Sequence, residues 1–153
     1  MTDIVGSTRR AAEQGDRRWR ELLDTHDQLA GRLVDRWGGR LVKTTGDGVL
    51  ATFEGPGRAL GCVTALRDEL AEISVQIRAG LHTGEVELRG DDVGGIAVHI
   101  AARIMAAAGA GEILVSRTVR DLVGGSDVVL QDHGSQPLKG VEGDWQLFGL
   151  AGR

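Results

Sequence analysis

The sequence predicts an α+β sandwich in which helices pack on a mostly antiparallel sheet. Segments with an apolar residue at every third or fourth position alternate along the chain with segments in which every second residue is apolar. No internal repeat and no long linker interrupts this order, and 153 residues suit one domain. We therefore expect a single domain over residues 1–153, built from interleaved helices and strands.

The chain begins abruptly, and a long helix follows. Only two residues precede Asp3, so we expect the strand that leads into this carboxylate to be truncated at the N-terminus. Apolar residues recur at a helical period over residues 16–37, from Trp19 to Trp37, and Gly38-Gly39 ends the pattern. This stripe predicts an amphipathic helix whose apolar side serves in packing or in a dimer interface.

A hairpin and a second helix come next. Residues 40–43 and 49–53 have the character of strands, and Asp47-Gly48 between them is a strong turn signal. Pro56 then opens an apolar periodic segment that extends to about residue 73. We expect this helix to cover one face of the sheet.

The second half of the chain repeats the alternation of strands and helices. Residues 75–81 and the region of Val86 and Leu88 alternate in polarity, which predicts two antiparallel strands separated by Thr83-Gly84. A helix is predicted over residues 96–108. The remaining predictions are strands at 113–115, 128–130 and 145–150, and a short helix that Ser116 caps and that ends near Val123.

The composition excludes several classes of function. The 18 basic and 22 acidic residues are mixed along the chain and give a net charge of −4, which argues against a nucleic-acid partner. Cys62 is the only cysteine, so an intrachain disulfide and a multi-cysteine zinc site are excluded, and the cytoplasm is the expected location. No apolar run approaches the roughly 18 residues of a membrane span, so we expect no membrane segment in this chain.

Two carboxylates and one loop have the pattern of a nucleotide site. Asp3 ends a strand and is followed by Ile4-Val5-Gly6-Ser7-Thr8 at a helix start, where backbone N–H groups can hold phosphate oxygens. The same pattern also describes a plain turn with a helix cap. Asp47, held in a tight turn, can bring a second oxygen ligand for a hard divalent cation, which favours metal-assisted phosphoryl chemistry.

Four ordered motifs resemble the class III adenylyl and guanylyl cyclase catalytic domain. They are TDIVGST at residues 2–8, KTTGDG at 43–48, DVGGIAVHIAAR at 92–103 and LKG at 138–140, and the resemblance covers essentially the whole chain. It implies a ferredoxin-like βαββαβ sandwich with extra strands and a short helix. It also implies that ATP is converted to 3′,5′-cyclic AMP and pyrophosphate.

The resemblance assigns a metal and phosphate group. Asp3 and Asp47 match the aspartates that bind two divalent ions, Mg²⁺ or Mn²⁺, and the Ile4 carbonyl is an additional ligand. The residues near the β and γ phosphates are Gly6, Ser7 and Thr8.

The resemblance also assigns a base and transition-state group. Lys43 and Asp92 match the pair that reads adenine, so ATP is expected over GTP, although a shift of one position would substitute Asp91 for Asp92. Arg103 matches the arginine that stabilises charge on the transferring phosphate, and Lys139 matches a lysine that contacts the terminal phosphates.

One site residue departs from the family pattern. The family has an asparagine one helical turn before the arginine, where it positions the ribose and the transition state, and this chain has His99. Imidazole can also donate a hydrogen bond, so activity can survive with a changed rate, or it can be lost. His99 can also be a histidine packed in a helix interface. The other histidines, which lack metal-ligand spacing and are expected to be structural or solvent-facing, are His26, His82 and His133.

The resemblance implies a homodimer with two shared sites. Asp3 and Asp47 would come from one protomer, and the base and transition-state group from the other. Sensor or regulatory domains are expected to flank such a domain in a parent protein. The main alternative is a cyclase-like regulatory module that binds nucleotide or dimerises without turnover. A diguanylate cyclase of the GGDEF type is disfavoured, because Gly38-Gly39-Arg40 does not supply its signature loop.

Overall fold

The structure is a computed structural model and describes residues 1–150 of the 153. These residues form nine strands and five helices. In chain order they are β1 (Thr2–Ile4), α1 (Ser7–Gln14), α2 (Asp16–Arg36), β2 (Arg40–Thr44), β3 (Gly48–Thr52), α3 (Pro56–Ala71), β4 (Ile77–Leu81), β5 (Glu87–Arg89), β6 (Asp92–Gly94), α4 (Ile96–Ala107), β7 (Ile113–Ser116), α5 (Arg117–Val123), β8 (Leu130–Pro137) and β9 (Asp144–Leu150). None of the helices within residues 1–150 is long and apolar enough to cross a membrane.

Seven strands form one sheet in the order β2-β3-β1-β4-β7-β9-β8, and β5 and β6 form a separate hairpin. All the pairs in the large sheet are antiparallel except that of β4 with β7. This mostly antiparallel sheet, with helices packed on it, confirms the predicted fold class. The candidate site residues lie on β1 and the loop after it, on β2 and the β2–β3 turn, on β4 and β6, along α4, and in the β8–β9 loop.

Alternation along β4 and β7 places helices on both faces of the sheet. Ile113 and Val115 pack in a cluster with residues of α3 and α5, whereas Leu114 packs with Ile100 and Ile104 of α4. On β4, a Cβ atom at Gly80 would lie 2.3 Å from the backbone N of Met105. Glycine at this position therefore allows α4 to lie directly against the sheet.

Most of the predicted helices and their ends are confirmed. The helix predicted over residues 16–37 is α2, and it ends where Gly38 adopts a positive φ of 72°. Ser116 caps α5 as expected, since its hydroxyl accepts a hydrogen bond from the Val119 N–H at 3.3 Å. The Asp47-Gly48 turn joins an antiparallel pair, β2 with β3.

Two predicted strands are present, but the pairing of one and the bounds of the other were wrong. The strand at Val86 and Leu88 does not continue the sheet beside β4; it is β5, every residue of which is exposed, and it pairs with β6. The strand predicted at 128–130 begins only at Leu130 and runs to Pro137 as an edge strand, paired with β9. Every residue of β5 and most of β8 are exposed, so burial does not fix where these strands begin or which strand they pair with.

β1 is short, and its neighbours extend past its beginning. The Met1 amino group donates to the Gly80 carbonyl at 2.9 Å, and beyond it β3 and β4 line an apolar cavity of about 200 Å³ together with residues of α3 and α4. Burial lowers the pKa of this amino group to about 6. The truncation of the first strand stays a prediction.

Candidate active site

The central position of β1 brings Asp3 and Asp47 to the same place. Asp3 is paired in register with Gly48 of β3, and the Ile4 N–H donates to the Asp47 carbonyl at 2.9 Å. A Cβ atom at Gly48 would lie 1.8 Å from the Thr2 carbonyl oxygen. Only glycine at this position lets β1 approach the end of the turn so closely. Both carboxylates line one cleft of about 620 Å³.

The loop after β1 surrounds the same cleft. Gly6 adopts a left-handed conformation with a φ of 69° and starts α1, and no side chain of the described residues caps the first turn of that helix. The first backbone N–H groups of α1 can therefore bind an anion, as they do at phosphate-binding helix N-termini. The predicted phosphate residues that line the cleft with Asp3, Ile4 and Asp47 are Gly6, Ser7 and Thr8.

A residue that the sequence analysis missed, Arg78, is central to this cleft. Its Nε donates to Oδ1 of Asp3 at 2.7 Å, and its Nη2 donates to Oδ2 at 2.9 Å. A third bond runs from Nη1 to the carbonyl oxygen of Ala106 at 3.2 Å. The carboxylates of Asp3 and Asp47 raise the pKa of Arg78, with the hydrogen bonds to Asp3 as the largest cause. The available signal was one cation within the otherwise uncharged strand IRAGL.

Lys43 and Asp92 form an ion pair within one chain. The Lys43 ammonium donates to Oδ2 of Asp92 at 3.0 Å, and the Val93 N–H donates to Oδ1 at 2.8 Å. These two hydrogen bonds, the one from Lys43 first, hold the pKa of Asp92 below its usual range. The structure thus pairs Lys43 with Asp92, and the role of this pair in reading the base stays a prediction.

His99 and Arg103 lie one turn apart on α4, just after β6 and Asp92. The Nε2 of His99 lies 2.9 Å from the carbonyl oxygen of Lys139, and it must carry the proton because a carbonyl only accepts. The neighbouring Gly140 has a φ of 79°, and a Cβ atom there would lie 2.9 Å from this Nε2. His99 thus contacts the loop that carries Lys139, and both Lys139 and Lys43 are exposed.

The structure separates the predicted residues into two groups. The metal and phosphate group lines the cleft beside β1. The base and transition-state group lies along β2, β6, α4 and the β8–β9 loop and does not line that cleft; its members are Lys43, Asp92, His99, Arg103 and Lys139. One chain therefore presents two half-sites that face different surroundings.

The other histidines have partners that suit structural roles. His26 is fully buried, with Nδ1 at 2.9 Å from a carboxylate oxygen of Asp27. His82 lies 2.8 Å from the Ser116 hydroxyl, and burial lowers its pKa. His133 is partly exposed, 3.8 Å from Glu112. Within residues 1–150 no three His, Cys, Asp or Glu side chains cluster as a metal site.

Comparisons with known proteins agree on one family. Residues 1–152 match the family model of the adenylate and guanylate cyclase catalytic domain. The chain is 30% identical over 156 residues to the serine/threonine-protein kinase pkn2 of Myxococcus xanthus, covering 97% of this chain and 19% of that protein. It is 34% identical over 117 residues to an adenylate cyclase of Streptomyces coelicolor, covering 75% of this chain and 31% of that protein.

The fold also matches solved structures. The adenylyl cyclase CyaB from P. aeruginosa superposes with a TM-score of 0.88 at 22% identity, covering 99% of this chain and 91% of that one. This likeness confirms the cyclase type of the predicted α+β fold. The chain spans about a fifth to a third of the length of the curated relatives that it matches.

Proposed function

The chain belongs to the family of adenylate and guanylate cyclase catalytic domains, and we propose that it is an adenylate cyclase whose sites form between two copies of the chain. It would convert ATP to 3′,5′-cyclic AMP and pyrophosphate. The observation that carries the proposal is the division of the site into two half-sites, one with Asp3 and Asp47 and the other with the Lys43–Asp92 ion pair. Neither half contains both the proposed metal ligands and the proposed base-reading pair.

The first half-site fits two divalent cations. Asp3 and Asp47 supply hard carboxylate oxygens, and the Ile4 carbonyl can add another, which are the donors that Mg²⁺ and Mn²⁺ prefer. No third acidic side chain joins them in residues 1–150, so coordination positions are left for water and phosphate oxygens. Bound there, the ions would favour ionisation of the ribose 3′-hydroxyl and balance the charge of the phosphates.

The second half-site suits adenine. The Lys43 ammonium can donate to the N1 edge of adenine, and the Asp92 carboxylate can accept from the exocyclic amine. Guanine presents the opposite pattern at these positions, a carbonyl oxygen and a protonated N1, which leaves both protein groups mismatched. Selection of ATP over GTP therefore follows from this pair.

The reaction is an in-line displacement. The ribose 3′-oxygen forms a bond to the α-phosphorus while the bond from that phosphorus to the bridging oxygen of pyrophosphate breaks. The guanidinium of Arg103 stabilises the charge that develops on the transferring phosphate, and Lys139 holds the leaving phosphates. Because Nε2 of His99 is bonded to the Lys139 carbonyl, we assign His99 the role of positioning that loop.

An exposed apolar surface supports the pairing of two copies. Leu88 of the β5–β6 hairpin is 72% exposed and Ile96 at the start of α4 is 60% exposed, and the half-exposed Val86 precedes the hairpin. Exposed large apolar side chains that are close together along the chain are a feature of interaction surfaces. This surface flanks Asp92, so a second copy that covers it would also close the base-reading half-site.

The test is product formation by the purified chain. ATP and GTP are each supplied with Mg²⁺ or Mn²⁺, and cyclic nucleotides are separated by chromatography, with Asp47→Ala as the control. Metal-dependent cyclic AMP formation that the substitution abolishes supports the proposal. Cyclic GMP as the main product would overturn the assignment of Lys43 and Asp92.

The second candidate function is a regulatory module, and one observation favours it. His99 stands where the family has asparagine, and its Nε2 is already occupied by the Lys139 carbonyl. Nucleotide binding without turnover by a folded dimer would support the module. Under either function, a cytoplasmic location and flanking sensor or regulatory domains in a longer parent remain proposals.

A further inference from the structure

We propose that Arg78 is a built-in counter-ion that holds the acidic cleft until a divalent cation arrives, so that metal binding requires Arg78 to leave Asp3. This inference rests on the proposed function, because it takes Asp3 and Asp47 as the metal ligands. It adds a residue, and a coupling between metal and nucleotide, that the motifs do not contain.

The geometry of the pair supports competition. The guanidinium engages both oxygens of Asp3 at once, at 2.7 and 2.9 Å, in the bidentate arrangement that gives arginine and carboxylate their strongest pairing. Asp3 retains 18% of its side-chain exposure and Arg78 33%, so water screens the pair only in part. A divalent ion on Asp3 would stand beside this fixed positive charge and would be repelled by it.

The second carboxylate shares the same counter-ion. Asp47 also raises the pKa of Arg78 and lines the same cleft. Two carboxylates at one place repel each other unless a cation lies between or beside them. In the metal-free chain that cation is Arg78, because the other arginine of the cleft, Arg9, is 81% exposed and approaches Glu13.

Release of Asp3 would leave Arg78 within the cleft. Its Nη1 bond to the Ala106 carbonyl does not involve Asp3 and can keep the guanidinium near the helix start at Gly6. A nucleoside triphosphate offers the freed guanidinium a new anionic partner, whereas a metal ion without nucleotide offers none. Metal alone should therefore bind weakly, and metal together with nucleotide should bind well.

The experiment measures Mn²⁺ binding to the whole chain without nucleotide, from the signal of free Mn²⁺ in electron paramagnetic resonance. Arg78→Gln keeps a polar side chain and removes the charge. We expect it to bind Mn²⁺ about tenfold more tightly than the unsubstituted chain, the scale of one partly exposed ion pair with arginine. Its affinity for a non-hydrolysable ATP analogue in the presence of Mn²⁺ should fall, so the two affinities move in opposite directions.

Arg9→Gln is the matched control. It removes the same charge from the rim of the same cleft without touching Asp3, and it should leave the Mn²⁺ affinity within about twofold, as expected for an exposed charge. Arg78→Lys keeps the charge but loses the bidentate geometry of the guanidinium, and its Mn²⁺ affinity should lie between those of Arg78→Gln and the unsubstituted chain. If Arg78→Gln does not fold without metal, this lysine variant decides the question.

Unchanged or weaker Mn²⁺ binding by a folded Arg78→Gln chain would overturn the inference. If neither chain binds Mn²⁺ and Asp47→Ala changes nothing, the carboxylates are not a metal site and the proposed function fails as well. If Arg78→Gln binds Mn²⁺ more tightly but no chain makes cyclic nucleotide, the counter-ion inference stands and only the enzymatic proposal fails.

Discussion

Two inactive variants should restore each other if the active site is shared between copies. Asp47→Ala removes a carboxylate from the metal half-site, and Lys43→Ala removes the cation of the base half-site. Both substitutions should leave the fold intact. The hydrogen bond from Ile4 uses the backbone carbonyl of residue 47, and the ion pair of Lys43 is about half exposed and contributes little to stability.

The expected activity follows from counting sites. When equal amounts of the two chains exchange subunits freely, about half of the dimers contain one copy of each. In such a mixed dimer one site receives both substitutions and the other receives neither. The mixture should therefore reach about a quarter of the unsubstituted activity at the same total chain concentration.

The assay measures cyclic AMP after the variants have been mixed well above the concentration at which dimers dissociate. The control mixes Asp47→Ala with Asp3→Ala, which affect the same half-site, and this mixture should stay inactive. The reasoning is refuted if the first mixture is no more active than its components. It is equally refuted if the control mixture recovers activity.

Three further predictions concern stability and the Lys139 loop. Gly80→Ala should lower the free energy of unfolding by about 2–4 kcal/mol, because its Cβ would meet the backbone of α4. The control is Gly57→Ala, on the open side of α3, and chemical denaturation measures the stability of both variants. In a chain whose first residue is Met1, the buried amino group has a lowered pKa of about 6, so the unfolded state binds more protons below pH 8. Stability should then fall by up to about 3 kcal/mol from pH 8 to pH 6, and acetylation of that amino group should remove the effect. Gly140→Ala should displace His99 and lower kcat/KM for ATP about tenfold or more. Gly143→Ala is the control: it has the same backbone strain but open surroundings, and it should leave kcat/KM unchanged. Melting curves will show whether both variants are folded.

Sequence patterns sufficed to predict the secondary structure of segments in which burial or a tight turn sets the residue pattern. The α2 helix was predicted because its packing on the core repeats apolar residues at a helical period. The β2–β3 hairpin was predicted because a tight turn favours the Asp47-Gly48 pair. The pairing of β5 with β6 and most of β8 were not predicted, because burial does not fix the pairing or the bounds of exposed strands. The predicted roles of the site residues came from family motifs and stay predictions.

Arg78 escaped for a different reason. Its partner Asp3 is 75 residues away, and the two meet only because β1 inserts between β3 and β4 with Asp3 opposite Arg78 in the register. A single sequence does not specify that register. The same holds for the bond between His99 and the Lys139 carbonyl, which joins α4 to a loop 40 residues further along the chain.

The geometry of the cleft depends on the glycine at position 48. Glycine is the only residue type at position 48 that lets β1 approach the end of the β2–β3 turn, because any Cβ atom there would overlap the Thr2 carbonyl. That approach sets the Ile4 bond to the Asp47 carbonyl, and it places Asp3 between the turn and Arg78. A larger side chain at position 48 would move the two carboxylates apart while leaving both in the sequence. The geometry of the metal half-site is therefore fixed by backbone contact, and the carboxylates supply its charge.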